Sequence, residues 1–473
     1  MKKNVVFPSA IIICLIYILA LSGPGCANIV PPQGGARDSL PPLLLKASPT
    51  DSTTNFKGNK IIFTFDEFVD VQGIQENLTV SPVAKQIPLV DYKLKTVTVR
   101  LKDSLEANTT YSLHFRDAIR DVNEGNILKG FTYTFSTGPY LDSLQLTGKV
   151  VLAETGKTDS TLIVLLHTSS NDSAVVKEKP RYITRINAQG NFVFKNLPPQ
   201  TFYVYALKDE GNTKLYRSQK QLFAFADKPV TVSLATDSVT LYAYAAKKDK
   251  TNTNSSLLNT NTKDQGTATD RRLRYSNNLQ VGKQDLLNNF VFSFQQPIKN
   301  FDSSKLSLYT DSTYTPVANY QFKKDSSNTK IILYTEWKEN TSYHIILNKD
   351  FLEDSSGKKL LRTDTLSFIT KKKTDYGVLK INIRNLDRSK NPVLQLLQNG
   401  AIIRSASLTT AVFNDNMFPP GEYELQILFD DNKNGQWDAG DFFKLHKQPE
   451  VVKAIQRKIV VKAMWQNEFD ISL

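Results

Sequence analysis

Near the end of this 473-residue chain, the run Asp430-Asp431-Asn432-Lys433-Asn434-Gly435-Gln436-Trp437-Asp438-Ala439-Gly440-Asp441 sets oxygen-bearing side chains at loop positions 1, 3, 5, 9 and 12, with Gly435 at 6 and Trp437 at 8. A hard divalent cation such as calcium takes oxygens from inward-pointing alternate positions, a glycine at the sharp bend, and a main-chain carbonyl at position 7. Asp430, Asn432, Asn434, Asp438 and Asp441, with the Gln436 carbonyl, are therefore the candidate metal ligands. Asp441 stands where such loops usually carry a bidentate Glu and is one methylene shorter, which loosens the site. The preceding Tyr423-Glu424-Leu425-Gln426-Ile427-Leu428-Phe429 alternates like a strand, so the expectation is an isolated loop on a hairpin rather than a helix–loop–helix hand. A plain Asx-rich turn uses the same residue types and stays open as the second reading. If calcium binds, its role is structural, rigidifying the hairpin.

Little other chemistry is available. His114, His167, His344 and His446 are isolated in the sequence and read as strand residues. No Gly-rich phosphate loop opens a helix, no paired zinc-ligand spacing occurs, and no His-x-x-Glu pattern is present. The expectation is a chain without catalysis and without a small-molecule substrate. The net charge of +13 is spread thinly, without the basic stripe that a nucleic-acid groove needs, so nucleic acid is not an expected partner.

The first residues speak to location. Lys2 and Lys3 precede an apolar run from Val5 to Leu21, and Ser22-Gly23-Pro24-Gly25-Cys26 follows. The run is short for a membrane span and ends in small residues, as in a cleavable signal. A Cys after small residues resembles the bacterial lipobox, which implies a lipoprotein signal over 1–25 and acylation of Cys26. Gly23 and Pro24 depart from the usual pattern. Cys14 lies in the apolar run and leaves with the signal, so the mature chain is expected to keep neither a free thiol nor a disulfide. Several acyl chains give stable anchorage where one gives only marginal binding. Pro and Gly after Cys26 mark a tether over 26–44.

Beyond it come short alternating runs such as Lys60-Ile61-Ile62-Phe63-Thr64-Phe65, and no long amphipathic helix, so the fold class is all-β: serial β-sandwiches. Asn108-Thr109-Thr110-Tyr111 recurs as Asn340-Thr341-Ser342-Tyr343, and at the same offset Asp121 falls on Glu353 and Gly125 on Gly357. Leu197-Pro198-Pro199 recurs as Phe418-Pro419-Pro420. The order is A-B-A-B: A1 over 45–139, B1 over 140–245, A2 over 274–372 and B2 over 373–473. A polar stretch over 246–273 reads as a flexible linker dividing two arms. In B1 the stretch Asp209-Glu210-Gly211-Asn212-Thr213-Lys214 stands where B2 has its loop, but has lost the ligand pattern.

With Phe65-Asp66-Glu67 and Leu105-Glu106-Ala107-Asn108-Thr109-Thr110-Tyr111, type A resembles the bacterial Ig-like domain first known from surface-layer proteins. A2 is a degenerate copy, with Gln295 and Gln296 replacing the acidic pair. Type B, with Gly190-Asn191-Phe192-Val193-Phe194 and Leu197-Pro198-Pro199, resembles the transthyretin-like, carboxypeptidase-regulatory-like module. The whole chain is similar to Bacteroidetes outer-membrane lipoproteins of the Ig-like class. The resemblance implies an outer-membrane, lipid-anchored protein with other outer-membrane proteins as partners, its leaflet undecided. Its function is then a binding or scaffolding subunit of an envelope complex for outer-membrane protein assembly or export. The alternative is a free-standing surface adhesin or glycan-binding lipoprotein.

One scattered pattern remains. Asp followed by Ser or Thr and then an apolar residue or Thr marks Ser39, Ser52, Ser104, Ser143, Ser160, Ser173, Ser238, Ser312 and Thr365. It resembles the O-glycosylation site of Bacteroidetes envelope proteins, and Asp-Ser turn chemistry is the other reading.

Overall fold

The computed structural model describes residues 37–246 and 272–473. The expected signal, Cys26 and nearly all of the expected linker lie outside the described residues. Among the described residues the regular structure is almost entirely β-strand, its α-helices being the four-residue turns Ile74–Asn77, Ala174–Lys177 and Phe442–Leu445. None is long and apolar enough to cross a membrane. Two compact units divide at Asp142 and Ser143.

In the first unit, strands ordered Leu44–Ser48, Lys60–Phe65, Thr96–Arg100, Leu89–Lys93 share one core with the sheet Thr79–Ser81, Thr110–Arg116, Phe131–Ser136. Alternation puts Ile61, Phe63 and Phe65 inside. The Phe63 ring stands edge-on to Phe131 at 5.1 Å, Tyr133 at 5.2 Å and Phe115 at 5.7 Å. Burying each such ring stabilises the sandwich by roughly 1.5–3 kcal/mol. Residues 37–43, the described part of the expected tether before the first strand, lie against this domain. The Leu43 amide donates to Asp66 at 2.8 Å and the Asn126 side chain donates to the Asp38 carbonyl at 3.1 Å.

A2, in the second unit, has the same plan: Tyr275–Asn277, Phe290–Phe294, Lys330–Thr335, Tyr320–Lys324 in one sheet, with Leu306–Thr310, Ser342–Leu347 and Asp364–Thr370 adjacent in the other. The same fastening recurs. The Tyr111 hydroxyl accepts from the Glu106 amide at 2.9 Å, and that of Tyr343 from Lys338 at 3.2 Å. The structural counterpart of Asp121 is Asp354 rather than Glu353, because both are buried and end the strands paired with Val69–Val71 and Ile298–Phe301. The loop between this carboxylate and its glycine is one residue shorter in A2, which a fixed sequence offset cannot register.

B1 and B2 also share a plan. A central strand, Leu144–Leu152 or Gly377–Arg384, pairs antiparallel with Asn191–Leu197 or Val412–Phe418 and parallel with Val239–Ala243 or Gln466–Ser472. The facing sheets run Tyr182–Arg185, Leu162–His167, Thr201–Lys208, Phe223–Phe225 and Ala401–Ser407, Pro392–Gln398, Gly421–Phe429, Val451–Val461. Leu162–His167 is buried at every position. Leu162, Val164 and Leu166 face the B1 core, whereas Ile163 and Leu165 join a second cluster with Phe442 of B2. An unbroken apolar run instead of alternation is what two-sided burial requires. The expected two arms are therefore corrected: B1 is packed against B2, and the break between compact units falls before B1.

Candidate functional site

Asp430 ends the strand Gly421–Phe429 and is 1% exposed. Its carboxylate accepts from the amides of Asn434 at 3.2 Å and Gly435 at 2.7 Å, closing a turn in which Gly435 takes φ 76°, a left-handed conformation that glycine adopts freely. The Asn432 and Asn434 side-chain amides both donate to Oδ2 of Asp438, at 2.6 and 2.7 Å. The structure thus brings Asp430, Asn432, Asn434 and Asp438 together around the Gln436 backbone. It does not bring Asp441. That carboxylate accepts from the Lys444 amide at 3.1 Å and caps the short helix Phe442–Leu445.

The acid that closes the loop is Glu450, which no spacing rule singles out. It is 2% exposed, and its two oxygens accept from the Asp431 amide at 2.9 Å and the Asp438 amide at 3.0 Å. Burial pushes its carboxyl up, the amides of Asp438 and Asp431 pull the other way, and the Asp430 charge adds to burial. Among the described residues no three His, Cys, Asp or Glu side chains are spaced to hold a metal ion. The Asn432 and Asn434 side-chain oxygens accept from the amides of Asn434 at 3.0 Å and Gln436 at 2.6 Å, so the loop is closed by its own hydrogen bonds rather than arranged around a cation.

The same loop joins the two B domains. The Trp437 indole donates to the Glu450 carbonyl at 2.6 Å, and Trp437, Ala439 and Phe442 pack on B1. Phe442 lies 4.8 Å from Phe225, 5.3 Å from Phe223 and 5.7 Å from Tyr205. A side chain at Gly440 would meet the Tyr244 ring at 2.8 Å, so only glycine permits this approach. The Val452 amide donates to Ala153 at 2.7 Å and the Gln448 side chain to Phe225 at 3.0 Å. Beside this contact lies a cleft of about 320 Å³.

At its rim His446 Nε2 meets Asp172 Oδ2 at 2.6 Å, across 274 residues of sequence. A carboxylate that orients an imidazole is part of a hydrolytic triad. Among the described residues no nucleophile is hydrogen-bonded to this ring. The other histidines stay apart: His114 pairs with Thr132 and His344 with Ser367, both on exposed strand faces. His167 is buried edge-on to Tyr205, its Nε2 without a partner, and burial lowers its pKa to about 4.

Of the hydroxyls in the Asp-Ser/Thr pattern, Ser39, Ser52, Ser104, Ser143, Ser160, Ser238, Ser312 and Thr365 are exposed, and Ser173 is half-buried at a helix start. Several of the preceding aspartates are engaged in local turns. Asp159 accepts from Thr161 through both amide and hydroxyl, and Asp311 does the same with Thr313.

Residues 38–137 match the family model of the bacterial Ig-like domain. No curated protein matches the chain. Among solved structures, the Bacillus anthracis TIE protein is 12% identical over 93% of this chain and 75% of its own, with a TM-score of 0.18. The N-terminal part of the bacterial S-layer protein SbsC is 16% identical over 37% of this chain and 42% of its own, with a TM-score of 0.16. BcpA, the major pilin subunit of Bacillus cereus, is 9% identical over 70% of this chain and 98% of its own, with a TM-score of 0.17. Likeness at this level says nothing of what the chain binds. The described residues form a series of β-sandwiches, of which residues 38–137 match the bacterial Ig-like domain.

Proposed function

We propose that this protein is a non-catalytic lipoprotein, anchored to the outer membrane through acylated Cys26, that serves as a binding or scaffolding subunit of a cell-envelope complex. The observation that carries the reading is the contact between B1 and B2. Aromatic side chains of a long loop weld sandwiches distant in sequence into one unit, and a rigid spacer is what a scaffold needs. The bacterial Ig-like match over 38–137 supports a surface or structural role. The exposed hydroxyls of the Asp-Ser/Thr pattern are its proposed O-glycan sites. A structural calcium belongs to the same reading, the loop rearranging on binding to turn Asp430, Asn432, Asn434, Asp438, the Gln436 carbonyl and Glu450 toward the ion. A cation there relieves the crowding of buried carboxylates and stiffens the loop that carries Trp437 and Phe442.

The test is native purification of the tagged chain from outer membranes in mild detergent. A partner at fixed stoichiometry, lost together with the membrane association in Cys26→Ser, is expected. Recovery of the chain alone at both low and high salt contradicts the subunit reading and favours the free-standing adhesin.

A further inference from the structure

We infer that the cleft between B1 and B2 is a binding site for a neutral saccharide. Its volume of about 320 Å³ lies at the small end of ligand sites, which run ~300–1,000 Å³. Tyr203 and Tyr205 come from one B1 strand, and Phe442 comes from the B2 helix. Tyr203 is only half-buried, which leaves an aromatic surface open to the cleft, whereas Tyr205 and Phe442 are 4% exposed and fixed by their ring contacts. An aromatic face of this kind takes the C–H face of a sugar ring and releases water from both.

The rim chooses the ligand's charge. Asp172 and Asp227 stand against Lys228 and the His446 imidazole, and Asp172 is already held by His446 at 2.6 Å. Two carboxylates against one ammonium repel a phosphate, and an amine is set beside the Lys228 ammonium, so neither charge is cleanly matched and burying an unmatched charge is costly. A polyhydroxylated neutral ring instead finds both acceptors and donors, because a hydroxyl gives one hydrogen bond and accepts others. The walls come from separate domains, so the site exists only while B2 is docked on B1. This inference does not depend on the subunit reading, and a chain that copurifies with nothing can still bind sugar here.

The experiment is a glycan array probed with the full lipidated chain, held in lauryldimethylamine oxide so that no sugar-headed detergent competes. Titration calorimetry with the saccharides that score follows, with inorganic phosphate and ethylamine as charged probes. The expected result is saturable binding of at least one neutral saccharide, weakened about tenfold, or ~1.4 kcal/mol, by Tyr203→Ala. Asp227→Asn, an exposed change that leaves the core untouched, weakens it as well, and both variants keep the far-ultraviolet circular dichroism of the wild type. Absence of any saccharide binding on the array overturns the inference. So does saccharide binding indifferent to both variants, or binding of phosphate or ethylamine that depends on Tyr203.

Discussion

The loops that follow Asp209 in B1 and Asp430 in B2 begin alike and end differently. Each aspartate leaves the equivalent strand and accepts from the amides four and five residues on, at 2.9 and 3.0 Å in B1 and at 3.2 and 2.7 Å in B2. Asp325 of A2 does the same at 3.1 and 2.9 Å, so the clamp is hairpin chemistry and not in itself a metal site. B2 then adds what B1 lacks: amides at Asn432 and Asn434, a carboxylate at Asp438, the buried Glu450, and an arm bearing Trp437 and Phe442. The two loops also meet, with Tyr216 stacked on Phe443 at 5.5 Å. The connection is longer in B2, where it reaches and covers B1.

The three tryptophans, Trp337, Trp437 and Trp465, all lie in the second unit, so their fluorescence follows its unfolding alone. The largest effect is expected from Phe442→Ala, which empties the aromatic cluster and costs about 3–5 kcal/mol in urea unfolding. A cost near that of an exposed site shows that the arm rests on B1 without stabilising it. Next comes acid. The buried His167 has its pKa lowered to about 4. The unfolded chain therefore binds this proton first as pH falls below about 6.5, and about 3 kcal/mol is lost progressively by pH ~4. His167→Leu removes that part of the acid sensitivity; an unchanged pH slope refutes the assignment.

Breaking the clamps compares the copies directly. Asp430→Ala is expected to cost about 2–3 kcal/mol and Asp209→Ala about 1–2 kcal/mol, because the Asp430 carboxylate is itself buried and its bonds are shielded from water, whereas Asp209 is half-buried. Equal costs erase the distinction. Calcium chloride should raise the thermal midpoint of the second unit in the wild type and in Asp441→Asn but not in Glu450→Gln. A response lost in Asp441→Asn and kept in Glu450→Gln restores the simple loop count. Smallest of all, His446→Ala removes a largely exposed pair and should cost no more than about 1 kcal/mol.

Alternation made the strands legible, since Ile61, Phe63 and Phe65 announce one buried face. Repetition made the shared plan legible through Tyr111 and Tyr343. What covers Leu162–His167 was not readable. Its unbroken apolar run demands a second partner, but nothing local names residues that lie more than two hundred positions away. Asp430, Asn432, Asn434 and Asp438 share one hydrogen-bonded loop because their geometry is local. Asp441 instead caps a helix, and Glu450 arrives through the return strand. The pairing of His446 with Asp172, and with it the cleft, exists only in the docked fold.

Differential scanning calorimetry of the full chain, wild type against Phe442→Ala, tests the central claim that B2 is welded to B1. The wild type should melt in two transitions, one for the residues up to Asp142 and a larger one for Ser143–Leu473, and Phe442→Ala should split the larger into separate B1 and A2–B2 events. A wild-type B1 transition already separate from that of B2, or a larger transition that Phe442→Ala leaves whole, contradicts it.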